Sequence, residues 1–137
     1  MSEHMKVSVR DVMKKDFDLV EGLATIRQAL EMMRHVETKC LIVNKRHDND
    51  EYGIVVIADI ARGVLAKDRS PDRVSIYEVM TKPAVTVHPD MNIKYASALF
   101  GRLGLSRAPV VDHNGTVIGI VSYTDMVMKG LLNPKIS

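Results

Sequence analysis

The chain has 137 residues, enough for one compact domain or two small packed halves with no disulfide or metal staple. Its 19 basic and 17 acidic residues leave a formal charge of +2, too small to imply nucleic acid by itself, and with the basic residues scattered, no Trp and only 2 Phe, a nucleic-acid partner is not expected and rests only on a pI of about 8.7. No apolar run is long enough to span a membrane, Met1 to Val9 has no signal-peptide core, and Cys40 beside Leu41, Ile42 and Val43 reads as a buried thiol, so a reducing cytoplasm is expected.

In chain order, Val9-Arg10-Asp11-Val12-Met13 precedes a short β-like run at Phe17 to Val20. A helical periodicity then covers Thr25 to Val36, with strands expected at Cys40 to Asn44 and Tyr52 to Ile57. The polar segment Lys45 to Glu51 joins those strands. Its His47, Asp48 and Asp50 are metal-ligand types, but a solvated loop uses the same residues and no second cluster supports a metal site. A helix is predicted from about Ala58 to Ala66, and Lys67 to Arg73, with Ser70-Pro71, reads as a linker.

The second half begins at Ile76-Tyr77-Glu78-Val79-Met80. Ala84 to Val87 is β-like and stops at His88-Pro89-Asp90. From Asn92 onward Ile93, Ala96, Leu99, Phe100 and Leu103 share one helical face; Asn92 or Asp90 can cap that helix, and Gly101 or Gly104 marks its decay. Ala108 to Asp112 and Thr116 to Ser122 read as strands around a two-residue hairpin signal at Asn114-Gly115. Ser122 or Thr124 can cap a last helix from about Asp125 to Leu132. The 9 methionines, among them Met32, Met33, Met126 and Met128, suit adaptable core or interface packing.

The two halves repeat each other. Met13 and Met80 stand 67 residues apart, with apolar and acidic types kept through the five residues that end at each. Leu41-Ile42-Val43-Asn44 matches Pro109-Val110-Val111-Asp112 at a spacing of 68, and Gly53-Ile54-Val55 with Asp59 matches Gly119-Ile120-Val121 with Asp125 at 66. The drift of one or two residues falls in expected loops.

A β-α-β-β-α unit found twice resembles the CBS domain pair, or Bateman module. The likeness is carried by Val9-Arg-Asp-Val-Met13, Ile76-Tyr-Glu-Val-Met-Thr-Lys82, Ser106-Arg-Ala-Pro-Val-Val-Asp112 and Gly119-Ile-Val-Ser-Tyr-Thr-Asp125, and it runs from about Ser8 to Leu132. It implies an α+β fold of two β-α-β-β-α repeats packed in pseudo-two-fold symmetry: repeat one over 8–67, a linker over 68–75, repeat two over 76–132 and a tail over 133–137.

The resemblance also implies a nucleotide site. Thr86, Val87, Ala108 and Pro109 would line an adenine cleft, Arg107 would meet phosphate with its forked donors, and Tyr123 would pack on ribose or adenine. A carboxylate such as Asp125 can accept both ribose hydroxyls, while Ser122 and helix-terminal N–H groups suit phosphate. Asp125 and Ser122 equally suit a plain helix cap. In the first repeat Asp59 is kept, but Val56 replaces the hydroxyl and Leu41 the proline, with Lys39 matched to Arg107; that site is expected to be the weaker one. Lys82 is a further candidate for phosphate, or a solvated surface lysine.

The expected function is a non-catalytic regulatory module that binds AMP, ADP or ATP between the repeats, needs no cofactor, and acts as a homodimer on an effector protein. S-adenosylmethionine presents the same adenine and ribose. The alternative is a dimeric scaffold with degenerate sites, the dimer burying the Met32-Met33 and Leu99-Phe100 surfaces. No spacing suggests an enzyme: His35, His88 and His113 have no evident catalytic partners.

Overall fold

The computed structural model describes residues 6–132. In chain order its elements are α1 (Val9–Val12), β1 (Leu19–Val20), α2 (Ile26–Met32), β2 (Cys40–Val43), β3 (Gly53–Val56), α3 (Ile57–Ile60), α4 (Ile93–Leu103), β4 (Arg107–Val111) and β5 (Val117–Ser122). A π-helical turn, Ala61–Leu65, extends α3; a 3₁₀ turn, Ile76–Glu78, opens the second half; and a π-helical segment, Asp125–Gly130, follows β5. The expected tail at 133–137 lies outside the described residues.

Two compact units form, and they do not coincide with the two sequence repeats. One is Phe17–Ala84; the other joins the described residues up to Asp16 to those from Val85 to Leu132. The leading motif of each half therefore folds with the body of the opposite half. The backbone bonds explain why. Val9 N–H donates to the Met91 carbonyl, and Ile93 N–H to that of Val7; the counterparts are Ile76 to Ala24 and Ile26 to Val74.

In the unit Phe17–Ala84, β2 pairs parallel with β1 and antiparallel with β3. All four residues of β2 are buried, as a continuous apolar run requires at the centre of a sheet. Thr25 and Gln28 cap α2 reciprocally, Thr25 Oγ1 accepting from Gln28 N–H at 3.1 Å. The helix ends at Met32, short of the expected Val36, because the Asp18 carboxylate accepts the N–H groups of Arg34 and His35 at 3.0 and 2.8 Å. Ile26, Ala29, Leu41, Val55 and Ile76 are fully buried at its core, each large one contributing about 1.5–3 kcal/mol.

The other unit is built around Phe100 of α4, fully buried with Val9, Val12, Ala96, Ala108, Val110 and Val121. Phe100 is thus core and not part of an outer stripe, and Met33 likewise packs against the core of its own unit. Asn92 caps α4 by accepting from Lys94 N–H at 2.8 Å, and Gly104 ends it in the left-handed conformation at φ +67°. The β-like run expected at Ala84 to Val87 reduces to a single bridge, Val87 to Val110. Pro109 is the reason: in the first unit the equivalent Ile42 donates its N–H to Asp18, and proline has none to give. The β4–β5 turn differs from a two-residue hairpin because Asp112 accepts from the N–H groups of both Asn114 and Thr116, closing a wider loop.

The glycine of each Gly-Ile-Val string lets the leading segment approach. Lys14 and Ile120 exchange backbone bonds of 2.8 and 2.9 Å, and Thr81 and Ile54 do the same at 2.9 Å each. A Cβ on Gly119 would lie 2.6 Å from the Lys14 carbonyl oxygen, and one on Gly53 would lie 3.3 Å from that of Thr81.

Candidate functional site

The second unit gathers most of the expected ligand residues. Register places Arg107 opposite Ser122, Ala108 opposite Val121 and Pro109 opposite Ile120, while Tyr123 N–H donates to the Ser106 carbonyl at 3.0 Å. Thr86 and Val87 reach the same strands through the Val87–Val110 bridge. Ala108, Pro109, Val87 and Ser122 are buried, and Arg107 and Thr86 are half-buried. Tyr123 is partly exposed and packs edge-on against Phe100, with ring centroids 5.4 Å apart.

Asp125 stands where β5 turns into the closing helical segment and is 2% exposed. Its Oδ2 accepts the N–H and the hydroxyl of Ser122, each at 3.0 Å. Its Oδ1 accepts from Lys14 Nζ, and Lys129 Nζ lies 3.4 Å from the same oxygen. Burial opposes ionisation, but the bonds from Lys14 and Ser122 outweigh it and hold this carboxyl below the ordinary aspartate value. The sequence expectations left Lys14 out. No short-range pattern joins residues 111 positions apart; the only signal was a lysine directly after the leading motif.

Asp59 makes the same backbone cap in the first unit, accepting from Val56 N–H at 3.0 Å. Its other oxygen takes a 3.1 Å bond from Arg62, and the side chain is 26% exposed. Thr81, uncharged, occupies the position equivalent to Lys14 in the strand pairing. Asp59 lines a cavity of ≈ 300 Å³ with Arg62, Lys67, Arg69 and Glu78. Glu78 accepts from Ser75 N–H at 2.7 Å and Arg69 at 3.1 Å; the backbone bond first, then the guanidinium, keep its carboxyl below the usual range against the pull of burial.

The structural register corrects one alignment. Ile57 N–H donates to the Lys39 carbonyl as Tyr123 N–H does to Ser106, so Lys39 is equivalent to Ser106, and the buried Cys40 stands in the place of Arg107. Lys39, at φ 58°, closes a 3₁₀ turn over Val36–Thr38, and that tight turn absorbs the residue on which the sequence alignment slipped. Lys82 is engaged as well, donating to Asp50 at 2.7 Å. That bond and the Arg46 N–H hold Asp50 far below the usual carboxylate range.

At the opposite end of the first unit's sheet a second cavity, of ≈ 660 Å³, is lined by Gly22, Leu23, Val43, Tyr77 and Met80 with Lys82 at its rim. Among the described residues no group of three or more His, Cys, Asp or Glu side chains could hold a metal ion. No helix among them is long and apolar enough to cross a membrane.

The CBS domain profile matches residues 9–66 and 76–130. An uncharacterized protein of Methanopyrus kandleri is 32% identical over 124 residues, which make up 88% of this chain and 61% of that protein. The chain spans only 23% of a homoserine O-acetyltransferase of Methanococcus vannielii, to which it is 28% identical over 116 residues. Among solved structures, a hexameric CBS-CP12 protein from bloom-forming cyanobacteria superposes with a TM-score of 0.86 at 34% identity, covering 92% of this chain and 69% of that one. A CBS domain pair solved in complex with 5′-methylthioadenosine and S-adenosyl-L-methionine gives 0.73 at 25% identity, covering 89% of this chain and 98% of the other.

Proposed function

The chain belongs to the CBS domain family, and from that premise we propose that it is a non-catalytic regulatory module that binds an adenosine-containing ligand, AMP, ADP or ATP foremost, through the motif aspartates. The observation that carries this reading is the repeated carboxylate. In each unit one oxygen caps the end of a strand, and among the described residues the other is met by side-chain cations. A carboxylate so held is a fixed acceptor for the paired hydroxyls of ribose. The structure solved with two adenosine compounds supports the ligand class.

Geometry favours Asp59 over Asp125 as the first aspartate to bind. Asp59 lines a cavity and one of its oxygens holds an Arg62 that is 73% exposed, whereas Lys14 is bonded to the buried Asp125 and Lys129 lies 3.4 Å from it. This is the reverse of the ranking expected from Ser122, Arg107 and Pro109, because the Lys14 counter-ion sits on the second aspartate. Lys67, Arg69 and Arg62 beside Asp59 supply cations for phosphate. We further propose self-association, a homodimer being the simplest form: Met32, Leu103 and Leu132 are exposed at 68%, 50% and 74%. The hexameric relative is one precedent for assembly. The signal then passes to an effector protein.

Calorimetric titration with AMP, ADP, ATP, 5′-methylthioadenosine and S-adenosylmethionine tests the ligand class. Asp59→Ala should weaken binding about tenfold to hundredfold, the value of a lost charged hydrogen bond. If the wild type binds none of the five, the scaffold reading replaces this one. Sedimentation at tens of micromolar protein tests the assembly, and a monomer there rejects it.

A further inference from the structure

Building on the reading of Asp125 as a ribose acceptor, we infer that Lys14 is the specificity residue of the second motif: it keeps Asp125 closed to uncharged adenosine compounds and yields it to phosphorylated ones. An ionised carboxylate offers about four lone-pair sites. At Asp125 three are taken, by Ser122 N–H and O–H on Oδ2 and Lys14 on Oδ1, and Lys129 stands 3.4 Å from the same Oδ1. A ribose diol must therefore displace something. The Ser122 donors are fixed by the turn that makes the cap, so the movable partners are the lysines.

Lys14 is the closer of the two and is suited to move. Its backbone is pinned in both directions to Ile120, yet its side chain is 25% exposed on a flexible four-carbon stem. A neutral ligand that took its place would leave an ammonium group without a counter-ion in a half-buried setting, which is unfavourable. A ligand with a phosphate offers the same ammonium a new anion as the ribose takes the carboxylate. For the ammonium, one anion, the carboxylate, is exchanged for another, the phosphate, and its charge is not stranded. Lys129 strengthens the bias, because two ammonium groups around one carboxylate leave an excess positive charge that draws an anion in.

The first unit lacks this device. Thr81 holds the equivalent backbone position with no charge, and the cation on Asp59 is an exposed arginine. Uncharged adenosine and 5′-methylthioadenosine thus go to Asp59, and only phosphorylated ligands gain Asp125.

The test isolates each aspartate. In an Asp59→Ala background, AMP should bind at least about tenfold more tightly than adenosine. Adding Lys14→Met should collapse that ratio to within about threefold, mainly by tightening adenosine; Lys14→Arg should preserve it. Conversely, Thr81→Lys in a Lys14→Met/Asp125→Asn background should raise the AMP-over-adenosine preference of the Asp59 site above the level that Arg62, Lys67 and Arg69 already give it. The transplant removes Lys14 and Asp125 together and so leaves neither without its partner, and it decides the matter if the first pair of variants fails to fold. Unchanged AMP-to-adenosine ratios in the folded variants overturn the role of Lys14 while leaving the ligand class standing. Absence of binding of both AMP and adenosine by the wild type overturns the ligand class, and the inference with it.

Discussion

The two units share a hydrogen-bond frame and differ in the charge placed inside it. Lys14 with Ile120 matches Thr81 with Ile54, Arg10 to Pro89 matches Tyr77 to Gly22, and the Ser8–Asp11 cap matches Ser75–Glu78, with donor distances that agree within a few tenths of an ångström. Against that constancy, Asp125 is buried in an ion pair and Asp59 is open with a surface arginine. Backbone pairing tolerates no drift, because an unpaired buried N–H costs about 1–3 kcal/mol. A side chain beside an already satisfied cap is free to change. Function is therefore to be sought in the side chains that break the symmetry.

The largest asymmetry to expect is in stability. Asp125→Ala strands the mostly buried Lys14 and removes a cap, so urea titration should show a loss of about 3 kcal/mol or more. Asp59→Ala removes a cap and one exposed pair, for about 1 kcal/mol. Equal losses would mean that the Lys14 pair is not formed in solution. The same pair sets an acid dependence. Asp125 titrates below its unfolded value, so its contribution is complete above about pH 4, the unfolded value, and fades as pH falls through the folded one. Stability measured from about pH 5 downward should fall less steeply in Lys14→Met/Asp125→Asn than in wild type.

A second, smaller asymmetry lies in the glycines. A Cβ on Gly119 would meet backbone at 2.6 Å, and one on Gly53 would meet the flexible Met80 sulfur at 3.0 Å and backbone only at 3.3 Å. Gly119→Ala should cost roughly 3 kcal/mol, the upper part of the overpacking range, and Gly53→Ala roughly 1 kcal/mol. Thermal melts of the two variants make the comparison, and an equal effect would show that the leading segment yields as easily in both units.

Much of this was legible in the sequence, because repeats and periodicities are local. The Gly-Ile-Val strings, the α4 face of Ile93, Ala96, Leu99 and Phe100 and the Asn92 cap all follow from neighbours within a few positions, whereas Leu103, placed on the same face by its spacing, is half exposed. What was not legible involves distance or fine register. Nothing near Val9 indicates that its N–H partner is the Met91 carbonyl, and the exchange of leading segments between the units follows from such bonds. The left-handed Lys39 shifts the β2 alignment by one residue, and only strand pairing reveals it. Similarly, the widening of both closing helices to π-helical turns leaves no mark on an apolar pattern that fits either helix.

The smallest asymmetry isolates a single hydrogen bond. Ile42 N–H donates to the Asp18 carbonyl at 3.0 Å, and this bond makes Leu19–Val20 a strand. Its equivalent, Pro109, cannot donate, and the run before Val87 pairs at one bridge only. Pro109→Ile restores the donor opposite the Val85 carbonyl, the counterpart of Asp18. The new bond gains about 1 kcal/mol, and loss of the proline's stiffness in the unfolded chain takes back about 0.4–1 kcal/mol. Net stability should change by no more than about 0.5 kcal/mol, so a melt alone would miss the effect. Amide exchange will not: the new N–H at position 109 should be protected to the level of the Ile42 amide. Rapid exchange there would mean that something other than the missing donor keeps this edge apart.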